Sequence, residues 1–328
     1  MNNRIYRKVV ICFLVLLVCT NVSYSADFVI TLGTGVPIPQ PKKRGSATLV
    51  VVNNQPYLFD AGVGVQDQFI AAMKKYPEYA SFISPERVRQ VFLTHLHSDH
   101  TLGLDEMIYG VWAGNARSEK LDIYGPEQTD ELVSGLHYAF RADKDLRLYG
   151  LEPVTVDGWM TNVKVTPATG QVYKDDNVTV TAFPVKHGTW PDPRGYLVKT
   201  DKGHLIVISG DNREPELLVP YAKVADVVIS EVYTLSNFDD NFPKESEETK
   251  EFWTEYFNSF HTSTKQLAEA MKKAKPKLLV TTHQITGQTT GKVASALITK
   301  EMRLYGYDGP LINAQDLTLI EIPHSSPN

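Results

Sequence analysis

The run His95-Leu96-His97-Ser98-Asp99-His100 follows directly on Val88 to Thr94, an apolar stretch that reads as a buried strand, and no other segment constrains this chain so strongly. Three imidazoles and a carboxylate within one turn of chain are costly to bury as core groups. Each needs hydrogen-bond partners, and Asp99 needs a charge partner as well. A metal removes that cost. His-x-His at a strand end sends two ring nitrogens to one cation, and after the chain turns, Asp-His can aim at a second. The remaining ligands are then expected at strand ends elsewhere. His187 follows the run Val178 to Phe183, Asp211 follows Leu205 to Ile208, and His283 follows Leu278 to Thr282. The competing reading is a solvated loop that happens to be His-rich. Six of the nine histidines can be assigned to one site, which counts against it.

Strand-like runs at Phe28 to Leu32, Ala47 to Val52 and Tyr57 to Phe59 are separated by Gly, Pro and Asn turns and read as antiparallel neighbours. Helical stretches are expected at Gln66 to Lys75, Leu102 to Trp112, Thr129 to Arg141, Thr264 to Lys273 and Lys292 to Arg303. Further strands are expected at Leu121 to Tyr124, Val178 to Phe183, Gly195 to Lys199, Leu205 to Ile208, Val227 to Ile229, Leu278 to Thr281 and Leu317 to Ile320. This alternation in two similar halves points to an α/β chain of two packed sheets with helices outside. With 328 residues, 42% hydrophobic and 22% charged, and no long linker, one domain over residues 26–328 is expected. One segment departs from the pattern. Ser236 to Phe260 opens as an acidic loop and ends with Phe252, Trp253, Tyr256, Phe257 and Phe260 on one helical face. Core packing is the expected role of that face, and an active-site wall the sharper alternative, because the stripe leads into His261.

The first 25 residues read as a cleaved export signal. Arg4, Arg7 and Lys8 precede an apolar stretch from Val9 to Cys19, and Ser23-Tyr24-Ser25 offers small residues for cleavage before Ala26. The stretch is shorter than the roughly 20 residues a spanning helix needs, so no stable membrane anchor is expected. Removing it takes away three positive charges and no acid, which deepens the formal net charge from −5 to −8, and it removes both cysteines. Thiolate chemistry is thereby excluded from the mature chain, and any metal must be held by His and carboxylates. A negative chain also lacks the global charge that nucleic-acid binding uses. Periplasmic or secreted localisation follows.

The pattern His95-x-His97-x-Asp99-His100, with a later His, Ser209-Gly210-Asp211 and Thr282-His283, resembles the metallo-β-lactamase superfamily. Thr31 to Gly35, Leu58-Phe59-Asp60-Ala61-Gly62, Gly195-Tyr196, Ser230-Glu231 and His261-Thr262-Ser263 look like the branch holding ribonuclease Z, secreted arylsulfatases and related phosphodiesterases. The resemblance implies an αββα four-layer sandwich and two Zn²⁺, for which Mn or Fe are chemical alternatives. It places His95, His97 and His187 on one metal and Asp99, His100 and His283 on the other, with Asp211 bridging. Asp99 is further expected to orient the attacking water-derived group or to accept its proton. Asp60 is expected to accept a hydrogen bond from a ligand histidine. His261 is expected to act as proton donor to the departing oxygen, with Glu231 holding its ring. Ser263 and Gln266 have capping-box spacing, which would fix His261 at a helix entrance. The glycines of Gly33-Thr34-Gly35 lack nucleotide-loop spacing and read as a tight turn, and His137, His204 and His324 read as surface or structural.

Ribonuclease Z enzymes that mature tRNA carry a long Gly- and Pro-rich arm between the counterparts of His187 and Asp211. Here only residues 188–210 intervene, and two strands and a turn account for them. The expected activity is therefore hydrolysis of a small anionic ester, a phosphodiester or an aryl sulfate. The alternatives are a tRNA 3′-end endonuclease, a lactone or β-lactam hydrolase, and a periplasmic metal-binding protein on the same fold. A small-molecule ester is the expected partner, nucleic acid is not, and a homodimer is compatible. Selectivity is expected in the aromatic stripe and the Trp112 and Trp190 regions.

Overall fold

The computed structural model describes residues 27–114, 117–234, 246–287 and 289–322. The export-signal segment, the loop expected from Ser236 and His324 lie outside the described residues. Strands β1 (Phe28–Gly33), β2 (Ala47–Val52), β3 (Gln55–Phe59), β4 (Gln90–Phe92), β5 (Leu121–Gly125) and β6 (Thr161–Val165) line up in that order. Neighbours are antiparallel from β1 to β3 and parallel from β3 to β6. The second sheet repeats this plan with β7 (Gly170–Lys174), β8 (Val178–Pro184), β9 (Arg194–Thr200), β10 (Leu205–Ile208), β11 (Val227–Tyr233), β12 (Leu279–Ile285) and β13 (Leu311–Asn313). Its pairs are antiparallel from β7 to β10 and parallel onward. The last strand, β14 (Thr318–Glu321), returns to pair with β1.

Side-chain alternation explains the layering. On β1, Val29 faces the other sheet and joins Val50, Phe59, Val180, Val198, Ile206 and Val280 in one apolar layer. Its neighbours Phe28, Ile30 and Leu32 face away and meet Val65, Phe69 and Ala72 of helix Val65–Lys75. The second sheet does the same, setting Val207, Val228 and Leu279 against Leu267, Met271, Ile298 and Met302 from helices Thr264–Ala274 and Gly291–Leu304. Strands apolar on both faces must be covered on both, so the result is an αββα sandwich. Among the described residues no helix is long and apolar enough to cross a membrane.

The expected strands form, and three more appear. Residues of β6 and β7 are mostly exposed or half-buried, and β13 is three residues long, so none carries a core-facing pattern. The stretch expected as one helix from Leu102 to Trp112 contains a wider π-helical turn at Glu106–Gly110. Trp112 is a correction. It is buried on the helix side of the first sheet, where its indole N–H donates to the Thr155 carbonyl at 2.8 Å, and so it lines no substrate pocket.

Candidate active site

Parallel strands end on the same edge of their sheet, and both sheets bring their loops to one place. His95 and His97 follow β4, and Asp99 and His100 lie in the short helix Ser98–Thr101. His187 follows β8, Asp211 follows β10, and Glu231 sits within β11. His283 is not at a strand end as expected. It lies inside β12, where Glu231 pairs with Thr282 and Val232 with Gln284, leaving His283 as the extra residue of a bulge with φ 42°. A bulge re-aims a side chain, and this one turns the imidazole into the site.

Every residue expected as a metal ligand converges here, and all but His97 are buried. His97 Nδ1 lies 3.0 Å from both His95 Nε2 and His187 Nε2. Asp211 Oδ2 stands 4.0 Å from His95 Nε2 and 3.8 Å from His187 Nε2. On the other side, His283 Nε2 is 3.0 Å from Asp99 Oδ2 and 3.5 Å from Asp211 Oδ2, while His100 Nε2 is 3.3 Å from Asp211 Oδ1. Asp211 thus faces both groups. These separations suit donor atoms sharing cations at bond lengths of about 2 Å. His100 Nε2 and Asp211 Oδ1 are buried and hydrogen-bond to nothing among the described residues, although they lie 3.3 Å apart. A His/Asp donor set with inward, unsatisfied atoms fits a divalent cation.

Electrostatics agree. Burial, reinforced by the neighbouring His100, holds His95 well below the ordinary histidine range, and burial pulls His187 down to about 4. Both stay neutral, the form in which imidazole is a ligand. Burial also opposes charge on His100, yet Asp211, Asp99 and Asp60 together raise it well above its ordinary value. The three carboxylates thus favour a positive charge at the His100 position.

Around these atoms a supporting layer sets each ring. Asp60, held at φ 59°, accepts from the Thr94 N–H and hydroxyl at 2.8 and 2.9 Å and sits 2.8 Å from His100 Nδ1. His187 Nδ1–H donates to the Phe260 carbonyl at 2.6 Å, and the Trp190 indole N–H donates to His97 Nε2 at 2.7 Å. The Phe260 contact is backbone, so no residue type could have flagged it. His261 Nδ1 lies 2.6 Å from Glu231 Oε2, while Glu231 Oε1 accepts from the Asn212 N–H at 2.5 Å. Both carboxylate oxygens of Glu231 are thereby engaged, which suits orientation rather than metal binding. Burial tends to lower His261, but Glu231 together with Asp211 and Asp99 outweighs it and raises the group to about 8. The capping box of Ser263 and Gln266 is present and starts helix Thr264–Ala274 directly after it. Of the remaining histidines, His137 bridges Tyr109 and Thr161, and His204 is buried near Asp226. Both stand outside the cluster.

Residues 56–284 match the family described as the Beta-lactamase superfamily domain. The chain belongs to the metallo-β-lactamase superfamily. It is similar to ribonuclease Z of Mycobacterium bovis, 28% identical over 256 residues that cover 77% of this chain and 84% of that one. In structure it resembles YhfI of Bacillus subtilis, with a TM-score of 0.64 at 17% identity over 90% of this chain and 99% of the other. It also resembles the short form of human tRNase Z, with a TM-score of 0.61 at 21% identity over 90% and 99%. The structural likenesses agree with the expected sandwich, and the His/Asp clusters of this chain could hold metal.

Proposed function

We propose that this chain is an exported hydrolase of small anionic esters, holding two zinc ions and favouring phosphodiesters, with aryl sulfates as the second substrate class. The observation that carries this is a complete His/Asp donor set standing beside a buried histidine whose ring is oriented by Glu231. His95, His97 and His187 would hold one cation and Asp99, His100 and His283 the other, with Asp211 shared. Such a pair, when bound, would supply a water-derived nucleophile at neutral pH and offset charge growing on the ester oxygens. Zinc suits these ligands, and manganese or iron are chemically acceptable. Asp60 and the Phe260 carbonyl keep the rings of His100 and His187 turned inward. His261 has Nδ1 engaged by Glu231, which leaves Nε2 as the ring atom able to give a proton to the leaving oxygen.

Similarity to a ribonuclease supports phosphodiester chemistry and also favours a second reading, tRNA maturation itself. Against that second reading, residues 188–210 fold as β9, β10 and their turns, with no projecting arm between His187 and Asp211. The acidic balance of residues 26–328 also disfavours a polyanion. Opening a strained lactone or β-lactam has less need of His261, and a retired metal-binding protein would be expected to lack a ligand or the acid. Residues 1–25 support action in the periplasm or outside the cell. The test is a parallel assay of zinc-loaded residues 26–328 on bis(4-nitrophenyl) phosphate, 4-nitrophenyl sulfate, a lactone, a β-lactam and precursor tRNA. The phosphodiester is expected to turn over best. Cleavage of precursor tRNA without small-ester turnover would overturn the proposal in favour of tRNA maturation.

A further inference from the structure

One face of helix Glu247–Phe260 carries aromatic rings from the protein surface to the candidate site. Phe252 and Tyr256 are 60% and 40% exposed, and Phe260, one turn further on, is half-buried. Ring centroids step 5.5 Å from Phe252 to Trp253, 5.6 Å to Tyr256, 4.9 Å to Phe260 and 5.3 Å to His187. Packing explains only part of this face, for Phe257 lies against Tyr233 at 5.7 Å while Phe252 and Tyr256 turn outward. Exposed large rings that run on through half-buried ones toward a site mark a binding surface. Its inner end is built into the loop that carries His187. Gly188 has φ 52°, a Cβ there would come within 2.1 Å of the Phe260 ring, and its N–H donates to the Ser259 carbonyl at 2.9 Å. The rings are therefore continuous with the site.

The charges on the same helix narrow the occupant. Glu248, Glu251 and Glu255 are all exposed along it. Single-stranded nucleic acid uses aromatic stacking platforms set in a basic groove, and an acidic border repels its phosphates. An uncharged apolar group meets no such repulsion and gains by leaving water.

Resting on the hydrolase proposal above, we propose that this aromatic row is the subsite for an uncharged apolar substituent, aryl or alkyl, of the anionic ester. The charged centre then sits at the His/Asp cluster while the apolar part lies along Phe260, Tyr256 and Phe252. The substrate is an amphiphilic ester with one charged head and one extended apolar arm.

The test is calorimetric titration of zinc-loaded residues 26–328 with methyl-, phenyl- and octylphosphonate, repeated on the double variant Phe252→Ala/Tyr256→Ala. Hydrolysis of the corresponding 4-nitrophenyl phosphonate esters is measured in parallel. Both substituted residues are exposed, so the core is left intact. Octylphosphonate is expected to bind about tenfold or more tighter than methylphosphonate, and most of that ratio should vanish in the double variant. Equal affinities in the unsubstituted protein, or a ratio that survives the double substitution, overturn the inference. If the esters are hydrolysed while the ratio survives, the subsite falls and the hydrolase proposal stands. If none is hydrolysed while the ratio depends on both rings, the hydrolase proposal falls and the apolar subsite stands.

Discussion

Asp60 and His261 show how single side chains tune this site without completing a ligand set themselves. Asp60 spends both oxygens on Thr94 and His100, so removing it frees the His100 ring to rotate. Asp60→Ala is expected to weaken metal affinity by about 10–100-fold, read by chelator competition. His261 is raised to about 8 against the pull of burial by Glu231 together with Asp211 and Asp99. A raised histidine is protonated below that value and loses its proton above it. Turnover of esters with poor leaving groups should therefore fall as pH climbs through about 8. Glu231→Gln removes the foremost of the charges that raise His261 and should move that limb toward acid. An unmoved limb in the variant would show that another group supplies the proton. The members of the cluster were readable from the chain because His and Asp at those spacings have few other uses. The supporting contacts were less so. Asp60 and Glu231 carry a chemical signal, whereas the Phe260 carbonyl carries none.

At the level of elements, two local devices aim the groups of the candidate site. Ser263 caps helix Thr264–Ala274 through a reciprocal box with Gln266. Ser263→Ala should cost about 1 kcal/mol in urea unfolding. It should also blur the position of His261, lowering kcat more than it changes KM. Gly188→Ala places a methyl group against the Phe260 ring at a backbone angle that disfavours side chains. A lower Tm together with reduced metal affinity is expected, because helix Glu247–Phe260 also supplies the carbonyl that orients His187. Strands buried on both faces were legible as continuous apolar runs, as β1, β2 and β11 show. The sheet-edge strands β6 and β7 were not, because Thr161, Lys164, Gln171 and Lys174 face solvent or lie half-buried. The bulge at His283 was equally hidden, since it exists only through the register of β12 against β11. The aromatic helix deceived in another way. Its spacing implied a core face, yet Phe252 and Tyr256 stand exposed.

For the whole molecule, the two-sheet plan explains why one edge concentrates so much chemistry. Each half contributes parallel strands whose loops meet across the sandwich, so His95 to His100 from one half reach His187, Asp211 and His283 from the other. The site is therefore also a clasp between halves. Stripping metal with a chelator should lower Tm, and added zinc should restore it in a concentration-dependent way. An unchanged Tm would separate the cluster from metal altogether. The most direct check is the turnover of bis(4-nitrophenyl) phosphate by zinc-loaded protein beside Asp211→Ala, the carboxylate that faces both ligand groups. The account predicts turnover in the unsubstituted chain and none in the variant, which should also lose its metal. Equal turnover in both proteins would contradict it.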